Sequence, residues 1–356
     1  MWSILWKIII YNNMKNQIKN VIKTKFKTVK IEKKPKKHNK LISIPYSSIL
    51  SKKNIILISL IIFIIIFIYI LLSHLFFSSE NIINIDYENF EKNIITEDII
   101  QNSGCNLTNE EAFFINGIIR KLKPKKCLEI GVNKGGTSIL ILNAIKDIKN
   151  SFLVSIDINT KLSEDPSKKI GYKVLKYFSF LTKNWQLFKG EMPHKVLDKI
   201  KKKFNFVIIN TSHTMPGEIL SFIEIMPFLE DNAILVFPNI ISHLKNVYIK
   251  DIDKTLLKKT TTSIFLMSAL VGKKKIIYDK NKKMGNIGVI FLEKNQQRFY
   301  QNYFLLLMNF WEEMLSDEQI FKFRLFLQKY YKQEKYLNIF ENAILYNKEY
   351  QKAFKE

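Results

Sequence analysis

Arginine is almost absent from this chain. Arg120, Arg298 and Arg324 are its three arginines, so 53 of the 56 basic side chains are lysine. Proteins that read nucleic acid lean on the planar guanidinium for bidentate contacts to bases and phosphates, which a lysine ammonium does not make. No nucleic-acid partner is therefore expected, despite a net charge of +24. Cysteine is as scarce: Cys105 and Cys127 are too few for a disulfide framework and lack metal-ligand spacing, so two free thiols are expected. Acids are nearly missing from the first 53 residues, where 14 lysines face only Glu32. That arm carries +13, which leaves +11 for the other 303 residues, so the bulk of the chain is only mildly basic.

What is abundant is isoleucine, concentrated in one place. Residues 55–77 form a 23-residue run without a charge, interrupted only by Ser59, Tyr69, Ser73 and His74. About 20 apolar residues span a bilayer, and a soluble-core helix of this length would show a polar stripe. The run predicts a single transmembrane helix over 54–77. A cleaved signal peptide fits poorly, because the preceding region is long and no A-x-A site follows. Lysines crowd the N-terminal side of the run. Glu80, Asp86, Glu88, Glu91, Glu97 and Asp98 crowd the other side, with Lys92 alone among them. The positive-inside rule then places the N-terminus in the cytoplasm and the larger part of the chain across the membrane. The arm 1–53 fits either a strip lying on anionic lipid or a disordered solvated tail.

Residues 78–106 read as a linker. Thr108 and Glu111 then make a capping box for a helix over 109–122 that buries Phe113, Ile115, Ile118 and Ile119, with Pro124 beyond its end. Apolar strands follow at 126–130, 152–158, 186–188, 206–209, 233–237, 275–278 and 287–292, with helices at 137–148, 192–202 and 216–229. This alternation predicts an α/β, Rossmann-like doubly wound sheet of about seven strands, mainly parallel, covered on both faces. The domain is placed at 107–297. Residues 298–356 switch to helical patterning, with a second capping box at Ser316 and Gln319. The aromatics of this extension, Phe321, Phe326, Tyr330 and Tyr331, are expected to pack on the domain.

One stretch carries chemistry. The strand ending at Ile130 runs into Gly131-Val132-Asn133-Lys134-Gly135-Gly136-Thr137, a glycine turn that opens a helix. In such a unit the ligand binds beyond the carboxyl end of the first strand, and glycine lets the backbone turn tightly and approach it. The second strand ends near Asp157, whose carboxylate can accept both hydroxyls of a ribose. G-x-G-x-x-G is not met, since Gly131 and Gly135 are four apart, which argues for a nucleoside ligand other than a dinucleotide.

The run from Glu129 to Ser138 resembles motif I of class I S-adenosylmethionine-dependent methyltransferases. It is similar to the branch reading E-x-G-x-x-x-G-x-S/T, shared by small-molecule methyltransferases and cephalosporin hydroxylase-like proteins. The resemblance extends over about 107–295. It implies S-adenosyl-L-methionine as cofactor, held by Glu129, Gly131, Asn133, Gly135, Gly136, Thr137, Asp157, Gly190, Glu191 and Asn210. Asp157 falls at the family's ribose-binding acid, and Gly190-Glu191 at its G-[DE] step near the adenine. Where many relatives read I-D-G-x-H-S, this chain has Ile209-Asn210-Thr211-Ser212-His213-Thr214, and where they read H-D or D-D it has Pro238-Asn239. Both acids that would ligand a divalent cation are amides, which are weak ligands for Mg²⁺, so no metal is expected. His213 is retained as a candidate general base, with a simple loop hydrogen bond as the alternative.

Two functions follow. One is a membrane-anchored, metal-independent methyltransferase acting on a small-molecule or glycan substrate. The other is a degenerate, non-catalytic domain serving as a structural or binding module. The altered acids and the predicted topology favour the second, and the intact glycine loop and Asp157 favour the first.

Overall fold

The computed structural model of the protein describes residues 97–105, 107–211, 213–238, 240, 262–278 and 285–353. The basic arm, the apolar run 55–77 and Asn239 lie outside the described residues. Among the described residues, no helix is long and apolar enough to cross a membrane.

Seven strands form one sheet: β1 (Lys126–Ile130), β2 (Phe152–Asp157), β3 (Trp185–Lys189), β4 (Phe204–Ile209), β5 (Leu229–Phe237), β6 (Gly272–Tyr278) and β7 (Gly285–Leu292). Their order is β3-β2-β1-β4-β5-β7-β6. β1 to β5 run parallel, whereas β7 is antiparallel to both β5 and β6. The result is a Rossmann-like α/β fold, as the strand–helix alternation predicted. Every strand lies where the apolar runs put it, and six of the seven differ by a few residues at their ends, the usual uncertainty of boundaries read from pattern.

The helices are α1 (Glu97–Ser103), α2 (Asn109–Leu122), α3 (Gly136–Ile145), α4 (Tyr172–Tyr177), α5 (Pro193–Ile200), α6 (Gly217–Ile225), α7 (Thr262–Ala269), α8 (Tyr300–Leu305), α9 (Asp317–Tyr330) and α10 (Glu334–Ala353). Both capping boxes form: Thr108 and Glu111 start α2, and Ser316 and Gln319 start α9. α1 lies within the stretch read as a linker; it is too short to show a period of its own, yet Ile100 is buried. In α2 the fully buried phenylalanine is Phe114, and Phe113 is only half-buried. α3 is largely apolar, with Thr137, Ser138 and Asn143 as its polar side chains, and all ten of its residues are buried, as a helix without a polar face requires.

Alternation along the parallel strands divides the core in two. Leu128, Ile130, Val154, Ile156, Val207 and Ile209 face one side and pack with α5, α6 and the C-terminal helices. Cys127, Leu153, Phe206 and Ile208 face the other, against α2 and α3. Phe323, Phe326, Tyr331 and Phe340 of the extension belong to the first core. The aromatics of the extension therefore pack on the domain as expected, except Phe321, which is 58% exposed. Cys105 and Cys127 are free thiols.

Candidate functional site

A cavity of about 380 Å³ opens at the carboxyl ends of β1, β2 and β4. This is where the strand order reverses, between β1 and β4, and open parallel sheets bind ligands at such a switch point. Ile130, Gly131, Val132 and Asn133 form its floor. Ile156 and Asp157 close one side, and Asn210 and Thr211 the other.

The glycine loop owes its shape to three clamps. Gly131 sits at φ +85°, and a Cβ there would lie 2.1 Å from the Asn210 carbonyl oxygen. The β1–β4 ladder continues one step further, with the Asn210 amide donating to the Ile130 carbonyl at 2.8 Å. Gly135 sits at φ +95°, where a Cβ would meet Val174 at 2.7 Å. The Gly171 amide donates to the Asn133 carbonyl at 2.8 Å, which holds the start of α4 against the loop. The third clamp is Asp157. Its Oδ2 accepts from the backbone amides of Val132 (2.9 Å) and Asn133 (3.1 Å), and its Oδ1 from that of Asn159 (2.9 Å).

That third clamp changes the reading of Asp157. At 8% exposed it is nearly buried and already engaged. An ionised carboxylate offers about four acceptor positions. Three backbone amides leave it one for a ribose hydroxyl.

Glu129 does not line the cavity. Strand alternation turns it, with Cys127, toward α3, where it is fully buried. Its Oε2 accepts from Ser138 Oγ and Ser155 Oγ, both at 2.6 Å, and Trp185 Nε1 donates to Ser155 Oγ at 2.8 Å. Oε1 has no partner. Burial pushes the Glu129 carboxyl up to about 7, against the two serine hydrogen bonds.

The other sequence-selected residues scatter around this centre. Thr137 is buried at the start of α3 and accepts from Asn210 Nδ2 at 3.4 Å. Gly136 has no room for a Cβ, because Cys105 packs at 2.7 Å. Gly190 is exposed, its amide donating to the Asp157 carbonyl at 2.9 Å. Glu191 pairs with Lys199 at 3.8 Å. Gly135, Gly136, Thr137, Gly190 and Glu191 thus frame the cavity without lining it; Gly131, Asn133, Asp157 and Asn210 line it.

His213 sits two residues beyond cavity-lining Thr211, at φ +58°, and is itself outside the lining. Its Nδ1 lies 3.1 Å from Glu218 Oε1 and 3.3 Å from Ser263 Oγ. Glu218 is completely buried, and its Oε2 accepts from Thr262 Oγ1 and Ser263 Oγ. A carboxylate at Nδ1 fixes the imidazole and leaves Nε2 without a hydrogen-bond partner among the described residues, the base-and-orienter arrangement of general-base sites.

Several cavity residues escaped the sequence reading. Leu162 and Ile170 pack on Val132 beside the glycine loop, and Leu220, Ser221, Glu224, Leu315, Gln319 and Phe323 form a far wall. The signal that could have found one of them is Glu224 itself, an acid on the apolar face of a helix.

Residues 128–240 match the model of a methyltransferase domain. Among solved structures, the chain is similar to the O-methyltransferase TomG from Streptomyces achromogenes in complex with SAM, at 10% identity and TM-score 0.41, over 56% of this chain and 92% of that one. It is also similar to SAH-bound methyltransferase PaMTH1 of Podospora anserina, at 13% identity and TM-score 0.42, over 56% and 89%. No curated protein matches the sequence. Among the described residues, no group of three or more His, Cys, Asp or Glu could hold a metal ion.

Proposed function

We propose that this chain is an S-adenosylmethionine-dependent methyltransferase that acts on a small-molecule or glycan substrate without a metal, anchored in a membrane by residues 54–77. The observation that carries the reading is the cavity at the β1–β4 switch point, floored by the glycine loop and edged by Asp157, within the stretch that matches a methyltransferase domain. Gly131 leaves the backbone bare for a nucleoside, and Asp157 keeps one acceptor position for a ribose hydroxyl. The cofactor, when bound, supplies an electrophilic methyl group on a sulfonium.

The chain's own residues would do the rest. The far wall orients the substrate and excludes water, and most of the gain comes from positioning. His213, its Nδ1 turned to Glu218, takes the proton of the attacking hydroxyl at Nε2. The lysine-rich arm and the acids after residue 78 support a cytoplasmic N-terminus.

A specific observation favours the alternative, a non-catalytic binding module. Asn210 replaces an acid and is bonded to Thr137, and His213 is not on the cavity wall. Calorimetric titration of the full chain in detergent with S-adenosylmethionine separates the two. Saturable binding that Asp157→Asn weakens at least tenfold supports the enzyme. No binding at millimolar cofactor sinks it.

A further inference from the structure

The cavity reaches past the strand ends to a wall built by α5, α6 and α9, where Pro193, Leu220, Ser221, Gln319 and Phe323 surround Glu224. The carboxylates on the cavity wall are Asp157 and Glu224, and Asp157 is largely engaged by the glycine loop. Glu224 is different. It is 2% exposed, and His194 Nδ1 lies 3.0 Å from its Oε1. The His194 ring packs on Phe326 at 4.9 Å, so the extension holds the pair in place. Burial raises the Glu224 carboxyl above its ordinary range, opposed by the His194 hydrogen bond.

Burying a carboxylate among apolar groups costs free energy unless donors reach it. At the wall of a cavity, a ligand can be such a donor. Gly217, which also lines the cavity, starts α6 on the chain that leaves β4 through Asn210 and Thr211. Glu224 is seven residues on, about 10 Å along the axis at 1.5 Å per residue. Glu224 therefore lies about two turns of α6 away from the helix start. That position suits the opposite end of an elongated substrate.

We propose that Glu224, positioned by His194, is a specificity residue that accepts a hydrogen bond from an N–H or O–H group at the substrate end remote from methyl transfer, while Leu220 and Phe323 pack the apolar middle. The inference rests on the methyltransferase reading for the word substrate, but its test does not need the cofactor. Three probes share one phenyl ring and differ in one polar group: 2-phenylethylamine, 2-phenylethanol and 3-phenylpropionate. Their binding to the full chain in detergent, without cofactor, is compared by titration. The amine and the alcohol are expected to bind at least tenfold more tightly than the carboxylate, and the stronger of the two tells an ammonium from a hydroxyl partner. Glu224→Gln, nearly isosteric, should erase that preference. Ser221→Phe, at a half-buried position on the same wall, should block all three probes and serves if Glu224→Gln fails to fold. Equal binding of the carboxylate, no binding of any probe, or a preference unchanged in both variants overturns the proposal. S-adenosylmethionine binding is measured on the same samples. Donor preference without cofactor binding removes the methyltransferase reading and leaves the Glu224 site; cofactor binding without donor preference does the reverse.

Discussion

At the scale of single residues, the acid that a ligand would need is also the acid that holds the glycine loop. Asp157 holds the amides of Val132, Asn133 and Asn159, and a hydrogen bond to a charged group contributes about 1.5–3 kcal/mol. Asp157→Ala should therefore lose roughly 3 kcal/mol or more of stability as well as cofactor affinity; a melt at the unfolding temperature of the parent that shows no loss would mean these three bonds are not made. Glu129 gives a pH signature. Its carboxyl is raised to about 7 in the folded chain, from 4.5. A raised pKa means the folded state holds the proton more tightly. The contribution is complete below about 4.5 and is lost as pH rises toward 7, by about 3 kcal/mol at 1.36 kcal/mol per unit. Glu129→Gln should remove that slope, so the difference between variant and parent stability should grow in the variant's favour from pH 4.5 to 7. A difference that stays flat over this range would contradict the assignment.

At the scale of elements, the glycine loop and the C-terminal helices deserve separate tests. Gly131→Ala puts a Cβ 2.1 Å from the Asn210 carbonyl, at φ +85°. The left-handed conformation alone costs roughly 1–2 kcal/mol for a residue with a Cβ, and the clash must also spread β1 from β4. Loss of cofactor binding together with a lowered melting temperature is expected; an unchanged crystal structure of the loop would refute the clash. Phe323 is buried in the main core and lines the cavity, so Phe323→Ala should cost about 3–5 kcal/mol, measured by urea unfolding. The strands, α2, α3 and both capping boxes were legible because apolar period, capping residues and glycine turns are local signals. α1, α4 and α7 were not. They are six to eight residues long, only about two periods of 3.6 residues, and stand as helices because the core accepts them.

For the whole molecule, the extension over residues 298–353 is part of the fold. Its Phe326, Tyr331 and Phe340 share one core with Leu128 and Val207, so a chain truncated after residue 297 is expected to aggregate on expression; a soluble, cooperatively melting truncation would show that the core closes without it. The apolar run 55–77 predicts that the full chain stays with the membrane fraction through a carbonate wash. Recovery in the supernatant would end the anchor reading.

By itself the sequence determined the sheet's class, the strand positions, the glycine turn with Asp157 at the next strand end, and the uncharged run before the domain. These depend on side-chain period and backbone chemistry within a few residues of each other. Only the tertiary structure decided that Glu129 points into the core, since which face a strand residue takes depends on what covers each side of the sheet. It alone showed that Asp157 is held by the loop it was expected to serve. It alone brought His194 to Glu224 and placed Glu224 and Phe323 on one wall. They come from three helices spread over some 130 positions, and no local pattern encodes contacts made across that distance.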